Sequence, residues 1–181
     1  MCFSAGASFS AGVVLTSIGV ATYREVNKPS QRLFASVPLF FAFQQFSEGV
    51  IWMMLRPGGN ESFLSTATFV FLFMALIAWP TMIPLSVYRM EEKPARKKII
   101  GGLLAAGTVL SSYYAFCLVN MNVYPRINKF HIQYINDFPE QIGYIAFTVY
   151  AVVTIAPLFI SSVKRMSLFG YLTFFSCFVT G

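Results

Sequence analysis

Residues 33–55 read LFASVPLFFAFQQFSEGVIWMML, and this apolar run decides the fold. The run is long enough to cross the hydrocarbon core of a bilayer as a helix. Its middle is interrupted by Gln44, Gln45, Ser47 and Glu48. A carboxyl group at that depth is costly unless it has a partner or a wet cavity, so Glu48 is the leading site residue.

The polar residues of this run share one side of the predicted helix. Because a helix turns about 100° per residue, one face carries Phe41, Gln44, Gln45, Glu48 and Trp52. The opposite face is wholly apolar and consists of Leu39, Ala42, Phe43, Phe46, Val50, Met53 and Met54. We therefore expect the apolar face to lie against lipid or packed helices, and the Gln/Glu/Trp face to point into a protein interior.

The composition is typical of a membrane protein. Of the 181 residues, 56% are hydrophobic and 11% are charged, and the mean hydropathy is +0.64. Soluble domains average about 25% charged residues. The charged residues fall in short islands between apolar runs, which leaves no room for a soluble domain of ordinary size. We predict a single transmembrane helical domain over residues 1–181, located in the cell membrane.

The apolar runs predict an all-α polytopic bundle of six segments. They cover residues 5–23, 33–55, 63–88, 99–119, 141–163 and 167–181. The last segment is shorter than the roughly 20 residues that a spanning helix needs, so we expect it to be incomplete. The stretch from 120 to 140 is expected to be a loop.

The net charge of +6 does not indicate nucleic-acid binding, because the basic residues lie beside the ends of the predicted segments. Topology and anionic lipid account for basic residues at such positions. All of the 13 basic residues except Arg56, Arg126 and Lys129 fall in the loops after the first, third and fifth segments. The positive-inside rule puts those loops in the cytoplasm and the N-terminus outside.

This topology brings the reactive side chains to the outer half of the membrane. Cys2 lies at the outer end of the first segment, Glu48 lies about 10 Å below the outer end of the second, and His131 belongs to the outer loop. We therefore expect a polar pocket in the extracytoplasmic half, centred on Glu48. The ligand-binding residues expected there are Gln44, Gln45, Glu48, Trp52, Tyr113 and Tyr114.

Each site residue also has a structural interpretation. Glu48 suits a general acid or base, a metal ligand or a transport site, but also a neutral glutamate that locks helices together. His131 is either a solvated histidine at the membrane interface or a site residue. It is the only histidine, so a zinc site would need Glu48, Asp137 or cysteine as further ligands. Three roles are open for Cys2: a thiol activated by His131, a disulfide partner of Cys117, or a small packing residue.

Several other features narrow the chemistry. The hydroxyls of residues 111–114 bond either a ligand or a neighbouring helix. Trp79 and Pro80 predict an interfacial aromatic residue and a helix kink. The chain has no P-loop, dinucleotide-binding glycine motif, CxxC or GxSxG, and one histidine excludes bis-histidine haem ligation within the chain. The sequence identifies no cofactor and no bound metal.

The sequence contains the opening MCFSAGASFSAGVVL, the stretch FAFQQFSEGVIW and the pair HIQY with APLFISS. These stretches resemble a bacterial family of multi-pass membrane proteins that carries a domain-of-unknown-function label. The likeness covers most of the chain and implies its topology, but no activity. Relatives show a histidine at the position of Gln44 or Gln45, followed by residues that match Glu48, Gly49 and Trp52. The glutamine in this chain weakens a metal-binding interpretation. Relatives also continue with one further hydrophobic helix, which implies seven helices in all.

Two classes of function follow. The first is a non-catalytic or carrier-like membrane protein with Glu48 as its polar anchor. Its partner is a small or lipophilic ligand, a membrane-protein subunit or a second copy of the chain. The second is a membrane-embedded hydrolase or transferase that uses Glu48 with His131 or Cys2. The membrane ceramidase and adiponectin-receptor group resembles that alternative in architecture only, because its His-xxx-His pair is missing here. A transporter is a third alternative, although inverted repeats are not evident.

Overall fold

The computed structural model describes residues 4–180, with side chains described through residue 175, and it is mostly helical. The helices are α1 (Ala5–Arg24), α2 (Arg32–Ala35), α3 (Val37–Met54), α4 (Glu61–Leu72), α5 (Trp79–Met90), α6 (Pro94–Asn120), α7 (Glu140–Ile160) and α8 (Met166–Thr180). A 3-10 turn, Pro29–Gln31, precedes α2, and a π-helical stretch, Phe73–Ala78, joins α4 to α5. Strands β1 (Val123–Asn128) and β2 (His131–Asn136) lie between α6 and α7.

Among the described residues, four helices are long and apolar enough to cross a membrane: α1, the continuous helix from Glu61 to Met90, α6 and α7. These helices confirm the prediction of a multi-pass helical protein, and their ends lie within a few residues of the predicted ones. The second predicted segment is broken, because α2 ends at Ala35 and α3 begins at Val37 with Pro38 in its first turn. As a result α3 has only 18 residues. The last segment, α8, is a shorter apolar helix.

The described residues group into two compact units. The first unit comprises residues 4–27, 35–75 and 115–138. The second unit comprises residues 28–34, 76–114 and 139–180. This grouping does not test the single transmembrane domain expected from the sequence, which stays a prediction.

In the first unit, α1 and α3 pack as antiparallel helices with glycine positions facing aromatic rings. A Cβ atom added to Gly12 would lie 2.8 Å from the ring of Phe46, and one added to Gly49 would lie 2.9 Å from the ring of Phe9. Each ring therefore fills the space that a side chain on the facing helix would occupy, as is typical of close helix packing in lipid. Phe46 of the apolar face predicted for α3 thus packs on α1, whereas Phe43 and Met53 of that face are exposed.

The expected loop at residues 120–140 contains a β-hairpin, which the all-α prediction missed. Strands β1 and β2 pair antiparallel along their whole length. Asn122 and Asp137 close the base of the hairpin. The backbone N–H of Asp137 donates to the carbonyl of Asn122 at 3.2 Å. At the turn, Lys129 takes a left-handed φ of 53°. The hairpin presents one face of β2 to the core of the first unit, because Ile132 is fully buried.

In the second unit, α6 meets the preceding helix at Gly107 and Ser111, which lie one turn apart. The Ser111 hydroxyl donates to the carbonyl of Ile77 at 2.8 Å and lies 2.8 Å from the hydroxyl of Thr81. A Cβ atom added to Gly107 would lie only 2.0 Å from the carbonyl oxygen of Pro80, which is a steric clash. The sequence left two uses open for the hydroxyls of residues 111–114, a bond to a ligand or a bond to a neighbouring helix. The Ser111 hydroxyl bonds to a neighbouring helix.

Candidate functional site

Glu48 lies on α3 with only 2% of its surface exposed. Gln44 and Trp52, one turn before and after it, are also buried, and Gln45 is half-buried. Since these residues share a helix face, that face lies inside the first unit rather than against water. The structure therefore buries Gln44, Glu48 and Trp52 of the predicted polar face, whereas Phe41 of the same face is 40% exposed.

The C-terminal half of α3 belongs to a cluster that draws on α1, α3, α4 and β2. Its buried members are Ala5, Ile51, Trp52, Ala67 and Ile132. The beginning of α1, the turn of α3 that follows Glu48 and the beginning of β2 therefore meet within the first unit. The site that the sequence analysis expects in this region stays a prediction.

Tyr134 of β2 is the residue that the structure brings to Glu48. Its ring stacks on Phe71 of α4, with the ring centroids 5.0 Å apart and the planes inclined by 12°. Its hydroxyl oxygen is buried and has no hydrogen-bond partner within the part of the chain that the structure describes. Burial raises the pKa of Tyr134, and the charge of Glu48 raises it further, so the phenol remains protonated.

His131 lies at the start of β2 and is half-buried. Successive side chains of a strand point to opposite faces, so His131 lies on the face of the hairpin opposite to Ile132 and Tyr134. The structure thus brings Tyr134 toward Glu48, and a catalytic role for His131 stays a prediction. Cys2, the other expected catalytic partner, lies outside the described residues.

Tyr113 and Tyr114 belong to the second unit, where their ring centroids lie 5.4 Å apart. Their role as walls of a pocket around Glu48 stays a prediction. On α6 in the first unit, Cys117 is a fully buried free thiol. Full burial of a small apolar side chain fits a packing role for Cys117.

Each unit contains a cavity of modest size away from the predicted ligand-binding residues. In the first unit, a cavity of about 230 Å³ lies between α4, the end of α6 and β1, and Thr68, Leu118 and Tyr124 line it. In the second unit, a cavity of about 220 Å³ is lined by residues that include Lys28 and Ser162. Neither cavity is lined by Glu48, so these two do not represent the pocket expected from the sequence.

Glu91, which directly follows α5 in the second unit, is a buried carboxylate that the sequence analysis missed. It is 1% exposed and accepts hydrogen bonds from the backbone N–H and the hydroxyl of Ser162, both at 2.6 Å, and from the Lys93 N–H at 2.9 Å. Burial would raise the pKa of Glu91, but these hydrogen bonds outweigh it and lower the pKa to about 2. Its donors fix the end of α5 to the link between α7 and α8, which is a structural role. The sequence feature that could have identified Glu91 is an acidic residue within the basic island of residues 89–98.

Among the described residues, no three His, Cys, Asp or Glu side chains lie close enough together to hold a metal ion. The zinc site considered from the sequence would draw on Glu48, His131, Asp137 or a cysteine. Within the described part of the chain, the structure does not gather three of these residues at one point.

The sequence matches a protein-family model described as a family of unknown function (DUF6629), over residues 1–180. No match was found among curated proteins or among solved structures. The family match covers nearly the whole chain, and it agrees with the resemblance to a domain of unknown function that the motifs indicate.

Proposed function

The chain belongs to DUF6629, a family of unknown function, and we propose from its own residues that it is a non-catalytic membrane protein that binds a small or lipophilic ligand at Glu48 and Tyr134. The supporting observation is the buried Tyr134 hydroxyl, which has no hydrogen-bond partner among the described residues although it lies within electrostatic reach of Glu48. A buried hydroxyl without a partner costs about 1–3 kcal/mol. A ligand that bonds to it recovers that free energy.

Gln44 and Trp52 complete the binding region in this proposal. Gln44 lies one turn before Glu48 on the same face of α3, and its amide offers both a donor and an acceptor. Trp52 lies one turn after Glu48 and contributes apolar surface to the neighbouring cluster. The site therefore combines few polar groups with apolar walls, the composition typical of small-molecule sites.

The enzyme alternative has less support. A general acid or base works best when its pKa lies near the operating pH, whereas burial and Glu48 move the pKa of Tyr134 away from neutrality. His131, which would be the better proton carrier, lies on the other face of the hairpin. No observation specifically favours transport.

We also propose that the hairpin and the N-terminus face the extracytoplasmic side, because most basic residues lie in the loops that follow α1, α5 and α7. Lys129 is exposed at the hairpin turn. A cysteine introduced there, Lys129→Cys, should react with a membrane-impermeant thiol reagent added to intact cells. Reaction only after the cells are opened would reverse the orientation.

Removing a single oxygen atom tests the binding proposal. Tyr134→Phe should abolish co-purification of a small molecule with the protein, measured by native mass spectrometry after gentle extraction from the membrane. The matched control is Tyr144→Phe, since Tyr144 is 87% exposed on α7 and should leave the bound molecule in place.

The two variants also separate binding from folding. In protein stripped of bound molecules, Tyr134→Phe should leave the melting temperature unchanged or higher, because it removes a buried hydroxyl that lacks a partner. If native mass spectra of the wild type show no bound molecule, and Tyr134→Phe lowers the melting temperature of the stripped protein, Tyr134 serves the fold and the binding proposal is wrong.

A further inference from the structure

The cavity of about 220 Å³ in the second unit lies where three connections of that unit meet. The 3-10 turn before α2 lines it together with residues at the ends of α5 and α7, and α5 contacts that turn. Two of the helices that are long enough to cross a membrane, Glu61–Met90 and α7, end at this point. A cavity at the ends of spanning helices lies at the level of the lipid head groups.

The size of the cavity restricts what enters it. Pockets for small-molecule ligands typically start at about 300 Å³, so this cavity is too small for a whole lipid or a drug-sized ligand. It has room for a head group whose remaining parts lie outside.

The lining supplies hydrogen-bond donors for such a group. Lys28 contributes an ammonium group, and its ion pair with Glu92 is long, at 3.9 Å, with both side chains largely exposed. Ser30 and Gln31 line the same cavity, and within the described residues no side-chain hydrogen bond engages either of them. An ammonium, a hydroxyl and an amide around one small cavity are donors that a phosphate accepts from.

The connections around the cavity carry more positive charge than the protein neutralises. Nine basic and two acidic residues lie in the stretches 28–34, 89–98 and 161–165. The acid Glu91 is held by backbone N–H groups and serine hydroxyls and not by a cation. Arg96 donates to the carbonyl of Ile160 at 3.1 Å, which is a neutral partner. The surplus therefore attracts an anion from outside the protein, and anionic lipid is its source at a membrane surface.

We propose that this cavity binds the phosphate of an anionic phospholipid, with Lys28 as the charged contact and Ser30 and Gln31 as hydrogen-bond donors. Met90 and Val163 add apolar lining, which suits the part of the lipid that joins the phosphate to the acyl chains. The site lies in the second unit, so it goes beyond the function proposed for Glu48 and Tyr134 and does not depend on it.

Glu92 distinguishes an anionic head group from a zwitterionic one. It lines the cavity as well, so its carboxylate repels a phosphate and attracts an ammonium group. A zwitterionic phospholipid carries both groups and no net charge, and it would leave the positive surplus in place. Glu92→Gln should therefore strengthen the binding of an anionic lipid, whereas it would weaken the binding of a zwitterionic one.

Titration of the purified protein in detergent, read by native mass spectrometry, tests the proposal. The probes are dioleoyl phosphatidylglycerol, which is anionic, and dioleoyl phosphatidylethanolamine, which is zwitterionic and has the same chains. The anionic lipid should bind at least about fivefold more tightly, and Lys28→Gln should remove about this factor, which corresponds to about 1 kcal/mol for one cation near a membrane surface.

Lys98→Gln is the matched control for Lys28→Gln. Lys98 is an exposed lysine in the same charge surplus, but it does not line the cavity. Lys98→Gln should leave the affinity for phosphatidylglycerol within about twofold of the wild type, because attraction at a distance is screened by salt. Equal losses in the two variants would mean diffuse attraction to a charged surface, and the discrete site would be rejected.

Three further results would overturn the proposal. Tighter binding of phosphatidylethanolamine that is lost in Glu92→Gln would make the ligand zwitterionic. Displacement of phosphatidylglycerol by an excess of inorganic phosphate would make it a free anion. A melting temperature lowered equally by Lys28→Gln and Glu92→Gln, with lipid binding unchanged, would give this pair a structural role only. Tyr134→Phe should not alter phosphatidylglycerol binding, so the two proposed sites are tested separately.

Discussion

At the scale of single residues, two buried carboxylates have different surroundings. Glu91 accepts hydrogen bonds from two backbone N–H groups and from serine hydroxyls, so burial does not neutralise it. Glu48 lies beside a phenol whose hydroxyl has no partner in residues 4–175, where side chains are described. Donors fixed by the backbone make Glu91 part of the scaffold, whereas the open hydroxyl beside Glu48 makes that residue the better site candidate.

The role of Glu91 predicts a pH dependence of stability. Its pKa is about 2 in the folded protein, below the ordinary glutamate value of 4.5, so the carboxylate favours the folded state above about pH 4.5. This contribution is lost as the pH falls from 4.5 toward 2. Glu91→Gln should therefore lower the free energy of unfolding by about 1–3 kcal/mol at pH 7 and flatten the acid side of the melting-temperature profile.

Glu92→Gln is the matched control for Glu91→Gln. Glu92 is the next residue, but its side chain is 88% exposed and its only described ion pair is with Lys28 at 3.9 Å. Exposed pairs of this kind contribute little. Differential scanning fluorimetry at pH 7 and pH 4 compares the two variants. Equal melting profiles would contradict the role assigned to Glu91.

The sequence indicated some of these residues and missed others for a physical reason. Glu48 is conspicuous because a carboxyl group within an apolar run is rare. Tyr134 and Glu91 are significant only through neighbours that are distant in the chain, Phe71 and Ser162. A single sequence does not contain that information, although the alternation in HIQYIN could have indicated a strand.

At the scale of elements, most helix ends were predictable because apolar length and breaker residues define them. Asn60, for example, caps α4 by accepting from the N–H groups of Ser62 and Phe63. The hairpin was missed because its strands are short and mostly exposed. The π-helical stretch Phe73–Ala78 precedes Trp79 and Pro80, where the sequence placed a kink. Such stretches depend on packing rather than on residue type.

The contact between Gly107 and Pro80 gives a prediction for α6. Gly107→Ala should lower the free energy of unfolding by about 1–3 kcal/mol, because the new Cβ would collide with a backbone carbonyl that cannot rotate away. Gly102→Ala in the same helix is the control, since nothing lies within 4 Å of its added Cβ. It should leave the melting temperature unchanged or slightly higher. A Gly107→Ala variant as stable as Gly102→Ala would show that this contact is looser than described.

At the scale of the whole molecule, composition and segment length were sufficient to predict a multi-pass helical membrane protein. The sequence could not predict the grouping into two compact units, because it depends on long-range contacts. The unit that contains Glu48 also contains α1 and the hairpin, so three distant stretches of the chain build one site region. The membrane-spanning scaffold positions that region, and the hairpin supplies Tyr134.

An experimental density map of the protein in lipid nanodiscs, at a resolution that shows ordered non-protein groups, is the most direct test of the central claim. The account predicts density within hydrogen-bond distance of the Tyr134 hydroxyl and beside the Glu48 carboxyl group, continuing along the apolar surface near Phe71. A map in which the Tyr134 hydroxyl bonds directly to a protein atom, or in which Glu48 faces bulk water, would contradict it.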